Sequence, residues 1–279
     1  MPEAFLLTEI TGIMMNMSKG NTAVDEVFFK DNWSNSYGFW HEIINRGDRQ
    51  VLLIRNAIRK INKPIIKILD IGCGEGDEMN AALSGINDKT FWITAVDTSG
   101  DALNKYRGNN PRFTKTTIQE KLECIPKKMP ATSFDLVLLS HCLYDVHLTH
   151  LFNKYLNLIS QEGCALVFLD SNKSDLKKIK RKFWSVVHNV DFNENAAEHV
   201  VEELKLNKIH HSTITLPYIV DLEKLDGIIK NGLETAFIPF ALKMKDMRPE
   251  IIQKIQIYIK TLRGGRFLKN KTAAIIFWH

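Results

Sequence analysis

Residues 68–78 read ILDIGCGEGDE, and the reading of this stretch decides the fold. Two aliphatic residues run into Asp70, and Gly72, Gly74 and Gly76 then fall at alternate positions. Three glycines so close together would weaken any helix or strand. The spacing therefore predicts a bare turn that lets the backbone approach a ligand. The apolar run Ile65–Ile71 ahead of the turn reads as a strand, and Glu78–Ile86 behind it as a helix.

The same alternation continues outward. Phe91–Val96, Phe113–Thr117, Phe134–Ser140 and Cys164–Leu169 read as strands, with helices near Asp101–Tyr106 and His147–Ser160 between them. The stronger strands are continuous apolar runs, which suit a parallel sheet covered on both faces. Strand–helix alternation with short links predicts an α/β fold with a doubly wound, mostly parallel sheet. Later come a basic helix at Asp175–His188, helices at Glu198–Leu206, Leu222–Ile229 and Ile251–Leu262, and strands at His210–Ile219 and Lys271–Trp278. Before the core, Phe39–Ile61 has helical spacing broken at Asn45–Asp48, which predicts two helices about a turn. The expected organisation is an N-terminal helical segment at 1–62, a ligand-binding core at 63–170, and sheet completion with covering helices at 171–279 of the same domain.

The 279 residues are 44% hydrophobic and 25% charged, enough for one sizeable core in an ordinary globular composition. The net charge of +5 gathers partly in Lys173–Lys182 (KSDLKKIKRK), which reads as a solvated helix face. No aromatic residue interleaves that run, so no nucleic-acid partner is expected. Cys73, Cys124, Cys142 and Cys164 make no CxxC pair, which predicts reduced, buried thiols and a cytoplasmic setting. There is no metal-ligand signature. Glu3 and Glu9 interrupt the N-terminal apolar stretch, and no apolar run is long enough to span a membrane, so neither a signal peptide nor a membrane partner is expected.

In doubly wound sheets, ligands bind beyond the carboxyl ends of the strands. Dinucleotide enzymes use G-x-G-x-x-G, whereas here the second gap is one residue shorter and Asp70 and Glu75 stand beside the glycines. Carboxylates there would repel a pyrophosphate and favour a cation. Asp97, at the end of FWITAVDTS (91–99), is placed to accept hydrogen bonds from ribose hydroxyls. A nucleoside that is itself positively charged fits both features, and S-adenosylmethionine is such a ligand.

ILDIGCGEG followed by AVDTS resembles the class I S-adenosylmethionine-dependent methyltransferases over residues 65–170. The resemblance implies a Rossmann-like sheet of seven strands with a helical N-terminal lid and C-terminal helical additions. It implies that Asp70, Gly72, Cys73 and Gly74 line the methionine part of the cofactor. Asp97 would hold the ribose with Thr98 beside it, Thr117 and Ile118 would border the adenine, and Ser140 would complete the cofactor pocket.

The end of FDLVLLSHCLYDV (134–146) would deliver Ser140, His141, Tyr144 and Asp145 to the cleft. His141 reads either as a general base or substrate ligand, or as a residue that shapes the pocket. SHCLY lacks the [DN]PP[YF] signature of the branches that methylate DNA amines and glutamine. Within the small-molecule branch the layout is similar to the histamine N-methyltransferase family. Tyr144 matches that family's first tyrosine in M-L-Y-Y-V, His141 stands where it has glutamine, and Asp145 where it has its second tyrosine. Lys271 stands where that family has the asparagine nearest the substrate, and Asp48 offers the acid that would face a substrate amine. Tyr37 and Trp40, with Trp33 and Phe39, form either an aromatic lid over the substrate or a staple onto the sheet. The expected activity is methylation of a small molecule, at an amine nitrogen first and an oxygen next. A protein or RNA methyltransferase and a noncatalytic S-adenosylmethionine-binding protein are the alternatives.

Overall fold

The computed structural model describes residues 44–45, 49–109, 113–131, 133–221, 236–237, 242–243, 247–262 and 267–278. Tyr37, Trp40, Asp48, the N-terminal lid and the helix expected at Leu222–Ile229 lie outside the described residues. The chain divides into two compact units. One comprises Asn45–Lys177, Asn193–Ile219 and Lys269–His279; the other comprises Met1–Ile44, Lys178–Phe192 and Val220–Leu268.

In chain order the elements are β1 (Ile44–Asn45), α1 (Arg49–Lys60), β2 (Ile65–Ile71), α2 (Asp77–Leu83), β3 (Thr90–Asp97), α3 (Gly100–Asn109) and β4 (Thr114–Gln119). There follow α4 (Ile125–Lys128), β5 (Phe134–Ser140), α5 (Leu151–Leu156), β6 (Ile159–Asp170), α6 (Asp175–His188), α7 (Ala197–Leu206) and β7 (His210–Asp221). The last are β8 (Ala236–Phe237), β9 (Leu242–Lys243), α8 (Pro249–Thr261) and β10 (Phe267–Trp278).

The main sheet runs β1-β7-β10-β6-β5-β2-β3-β4. It is the expected seven-stranded, mostly parallel sheet, with the two-residue β1 added at one edge. Strands β4, β3, β2, β5 and β6 pair in parallel, and β10 pairs antiparallel to β6. The continuous apolar runs are explained by burial on two sides. Leu69, Ile71, Val137, Leu139, Val167 and Leu169 enter one core cluster with Phe152 and Tyr155 of α5 and Val200 and Leu204 of α7. Their strand neighbours Ile66, Ile68, Leu136, Leu138, Leu166 and Phe168 enter the other, with Ile54 and Ile58 of α1, Met79 of α2 and Tyr106 of α3. Residues of opposite parity thus serve opposite faces.

Three expectations are corrected. The segment around Ile44 carries a short strand rather than the end of a helix. The helix expected over His147–Ser160 is only Leu151–Leu156, and β6 begins at Ile159 rather than Cys164. Pairing decides this: Phe134 N donates to Leu158 O at 3.0 Å, and Ile159 takes its place opposite Phe134 in β5. Gly163 permits the approach, because a Cβ there would lie 2.7 Å from Asp135 O. The basic run Lys173–Lys182 is not wholly solvated either. Lys177 is 2% exposed and ion-pairs with Glu194 at 2.8 Å.

Within the other unit, Phe183 and Trp184 of α6 are buried. Phe183 meets Tyr258 of α8 edge-on at 5.6 Å and Trp184 meets Phe192 at 5.7 Å. The buried face of α8 is Ile251, Ile255 and Ile259, and β8 pairs antiparallel with β9.

Candidate active site

The parallel register brings the ends of five strands to one edge. Ile71 lies opposite both Val96 and Leu139, Asp97 opposite Gln119, and Ser140 opposite Phe168. The glycine turn leaves β2 at this edge. Gly72, Gly74 and Gly76 all have positive φ, at 61°, 53° and 84°. Side chains tolerate this region poorly, so the turn requires its glycines. A Cβ on Gly72 would come within 2.3 Å of Cys142 Cβ, so the turn packs directly on the loop after β5. A Cβ on Gly74 would meet nothing within 4 Å. One side of the turn is therefore wedged against protein and the other is open to a ligand.

Carboxylates surround this turn. Asp97 Oδ2 accepts from Gly74 N at 3.0 Å, and Asp97 Oδ1 accepts from Ser99 N at 2.9 Å. Each oxygen keeps a lone pair, so the carboxylate can still receive two hydroxyl donors. Asp70 is 3% exposed and accepts from Tyr106 OH at 2.8 Å. Burial pushes the Asp70 carboxyl up to about 7; the Tyr106 hydrogen bond opposes that rise, and the charges of Glu78 and Asp97 add to it. Burial and the same two aspartates also push the thiols of Cys73 and Cys142 up, so neither is an activated nucleophile. All four cysteines are free.

The remaining cofactor candidates occupy defined places. Cys73 N donates to Val96 O at 3.1 Å, which ties the turn to β3. Thr98 O accepts from Gln119 Nε2 at 3.0 Å. Thr117 Oγ1 accepts from Arg107 Nε at 2.9 Å, while the next residue, Ile118, packs against the core cluster that holds Phe152. Ser140 Oγ donates to Glu78 Oε2 at 3.2 Å.

After β5 the backbone turns sharply at His141, whose φ is 52°, and His141 N donates to Phe168 O of β6 at 2.9 Å. This aims the ring at a polar cluster. Gln50 Nε2 lies 3.0 Å from His141 Nε2, and His141 Nδ1 lies 2.9 Å from Tyr144 OH. With the ring proton on Nδ1, Gln50 donates to Nε2 and Nδ1–H donates to the tyrosine oxygen. Tyr144 OH donates in turn to Asp170 Oδ2 at 3.4 Å. The Asp170 carboxylate also accepts from Tyr218 OH at 3.0 Å and from Thr272 Oγ1 at 2.8 Å. A four-residue chain, Gln50–His141–Tyr144–Asp170, thus runs along the strand ends. Asp145 sits on the exposed turn beyond it.

The loop holding His141 and Tyr144 is pinned from a distant part of the chain. Asn195 N donates to Tyr144 O, and Asn195 Nδ2 to Leu143 O and Val146 O, each at 2.7 Å. Lys177 Nζ donates to Asn195 O at 2.7 Å and stands 4.9 Å from the Tyr144 ring centroid. Sequence reading missed Gln50, Asp170, Asn195 and Tyr218. Gln50 did leave a signal: it shares the buried stripe of α1 with Ile54 and Ile58, one polar residue at apolar spacing.

Among the described residues, no helix is long and apolar enough to cross a membrane. A family model for a methyltransferase domain matches residues 39–206, more than half of the chain. No curated protein matches the chain. Among solved structures, the YcgJ protein of Bacillus subtilis is similar with a TM-score of 0.58 at 12% identity, over 83% of this chain and 98% of its own. A candidate sarcosine dimethylglycine methyltransferase from Galdieria sulphuraria has a TM-score of 0.52 at 11% identity, over 82% and 85% of the two chains. A geranyl diphosphate methyltransferase, in complex with GPP and sinefungin, has a TM-score of 0.50 at 12% identity, over 82% and 78%. Such identities speak for the fold, and the family match identifies the chain as a member of the methyltransferase-domain family, with the class I fold of S-adenosylmethionine-dependent methyltransferases.

Proposed function

We propose that the chain methylates a small molecule at an amine nitrogen, in the cytoplasm, with S-adenosylmethionine as cofactor. The observation that carries the cofactor part of this reading is the sign of the charge at the glycine turn. Asp70, Glu78 and Asp97 lie close enough for the latter two to raise the proton affinity of the first. Such a turn favours a cationic occupant over a phosphate.

Asp70, Gly72, Cys73 and Gly74 would hold the methionine part, Asp97 and Thr98 the ribose, Thr117 and Ile118 the adenine edge, and Ser140 the side nearest the methyl group. When bound, the cofactor supplies an electrophilic methyl group on a sulfonium. The acceptor side is His141, Tyr144 and Asp145, with Asp48, Tyr37 and Trp40 as further candidates outside the described residues. An amine attacks through its own lone pair, so the protein's task is to hold it aligned and dry. Both ring nitrogens of His141 are engaged by Gln50 and Tyr144. We therefore assign His141 the orientation of Tyr144 rather than direct removal of the amine proton.

The resemblance read at residues 141–146 to the histamine N-methyltransferase family, with His141 and Asp145 as departures, is what favours an amine. The second reading is a carboxyl or hydroxyl oxygen acceptor. The test is incubation with methyl-labelled S-adenosylmethionine and a panel of small amines, carboxylic acids and alcohols, with RNA and cell protein in parallel. Label on amines is expected. Label confined to RNA or protein would refute the small-molecule reading, and label confined to acids or alcohols would shift the acceptor to oxygen.

A further inference from the structure

We infer that Gln50 is a substrate-contacting specificity residue, which accepts a hydrogen bond from an N–H or O–H group of the methyl acceptor. This rests on the small-molecule reading above. Gln50 is 3% exposed, and its Nε2 holds His141 at 3.0 Å, yet among the described residues its Oε1 is buried without a hydrogen-bond partner. Buried acceptors of this kind are rare in folded proteins and call for an explanation.

Core packing does not supply one. α1 carries Ile54 and Ile58 on the same buried stripe, and a leucine or methionine at position 50 would continue that stripe with no polar atom left over. The amide sits where the chain Gln50–His141–Tyr144–Asp170 reaches the strand ends. One amide N–H is committed to the imidazole, and the carbonyl is left for a molecule arriving beside His141. Turning the amide over would require the ring proton on Nε2, so Nδ1 would accept from the Tyr144 hydroxyl and the Tyr144–Asp170 bond would be given up; the first arrangement keeps that bond. A carbonyl there selects for a donor on the substrate. Primary and secondary amines or alcohols satisfy it; tertiary amines, which carry no N–H, leave it orphaned. Sites with a buried hydrogen-bonding group reject analogues that lack the partner more sharply than apolar pockets reject a change in size.

The experiment compares 2-phenylethylamine and the other primary amines of the panel with their N,N-dimethyl derivatives. Wild-type protein, Gln50→Met and Gln50→Glu are each assayed for label transfer, and calorimetry with S-adenosylhomocysteine reports the integrity of each. In wild type, kcat/KM favours the N–H-bearing amines. Gln50→Met should lower kcat/KM for them by about 10- to 100-fold and erase the preference, while S-adenosylhomocysteine affinity stays within about twofold. Gln50→Glu keeps an acceptor at the same place and should retain the preference, which a merely structural role would not produce. The role is overturned if the Met variant keeps the wild-type preference, or if wild type prefers the dimethyl compounds. Absence of label on every amine and alcohol, with S-adenosylhomocysteine still bound, would defeat the small-molecule reading itself and this role with it. Label on amines that ignores position 50 would defeat this role alone.

Discussion

Gly72 and Gly74 look equivalent in the sequence but are bare for different reasons. Both have positive φ, so alanine at either costs about 1–2 kcal/mol in backbone strain. At Gly72 the new methyl also collides with Cys142. Gly72→Ala should therefore destabilise the protein by more than that amount. Gly74→Ala should cost no more than it, yet weaken cofactor binding at least as strongly as Gly72→Ala does. Denaturant melts beside calorimetry separate the two. Asp70 makes a second prediction. Its carboxyl is raised by burial to about 7 from 3.8, so the folded state holds the proton more tightly than the unfolded chain. Its contribution is then fully present below pH 4 and is lost as pH rises towards 7. Asp70→Asn should flatten that slope and raise stability at pH 8 by up to roughly 4 kcal/mol, as read from melts across pH. A cation at the turn favours the charged carboxylate, so cofactor binding near pH 6.5 should release a fraction of a proton in wild type and none from this group in the Asn variant. Titrations in buffers of differing ionisation enthalpy measure it. The acids and glycines of the turn were legible because each has a chemical reason at a fixed spacing. Asp170 was not, because nothing local marks it: its partners Tyr144, Tyr218 and Thr272 come from three distant segments.

At the scale of elements, the strands were legible wherever they are uninterrupted apolar runs, as in Phe134–Ser140, and the prediction weakened where pairing overrides local preference. Ile159 and Ser160 end the stretch expected as a helix, but β5 recruits Ile159 as the start of a strand. Asp135 helps to fix that junction. It accepts from Lys63 Nζ at 2.6 Å, Lys67 N at 2.9 Å and Ser160 Oγ at 2.8 Å. Burial pushes its carboxyl up, and these three donors outweigh that and hold it below the usual range. Its contribution is present at neutral pH and is lost as pH falls through the acid range, the opposite sense to Asp70. The start of α6 behaves differently from the rest of its basic run. Lys177 and Glu194 are 3% and 5% exposed as side chains, so removing one partner leaves the other charge buried. Lys177→Met should lower stability by roughly 3–5 kcal/mol, and adding Glu194→Leu should recover most of that loss. Urea unfolding of the single and double variants tests both steps.

At the scale of the molecule, the two halves of the site differ in how far the chain must travel to build them. The proposed cofactor side is local: the turn after β2, Asp97 and Gln119 come from neighbouring strands joined by short links. The proposed acceptor side gathers Gln50, His141, Asp170, Tyr218 and Thr272. His141→Asn offers a global check on the assignment of roles. A general base is worth about 10²- to 10⁴-fold, whereas an orienting ring should lower kcat by no more than about 10-fold, in steady-state assays on the best amine of the panel. The pinning of the Tyr144 loop by Asn195 has an order-of-synthesis meaning as well. A ribosome that has released everything up to β6 has already made the glycine turn and Asp97, but nothing yet clasps the loop after β5. Nascent chains halted before Asn195 lack that clasp, so the proposed acceptor side is completed only when the distal part of the chain has been made.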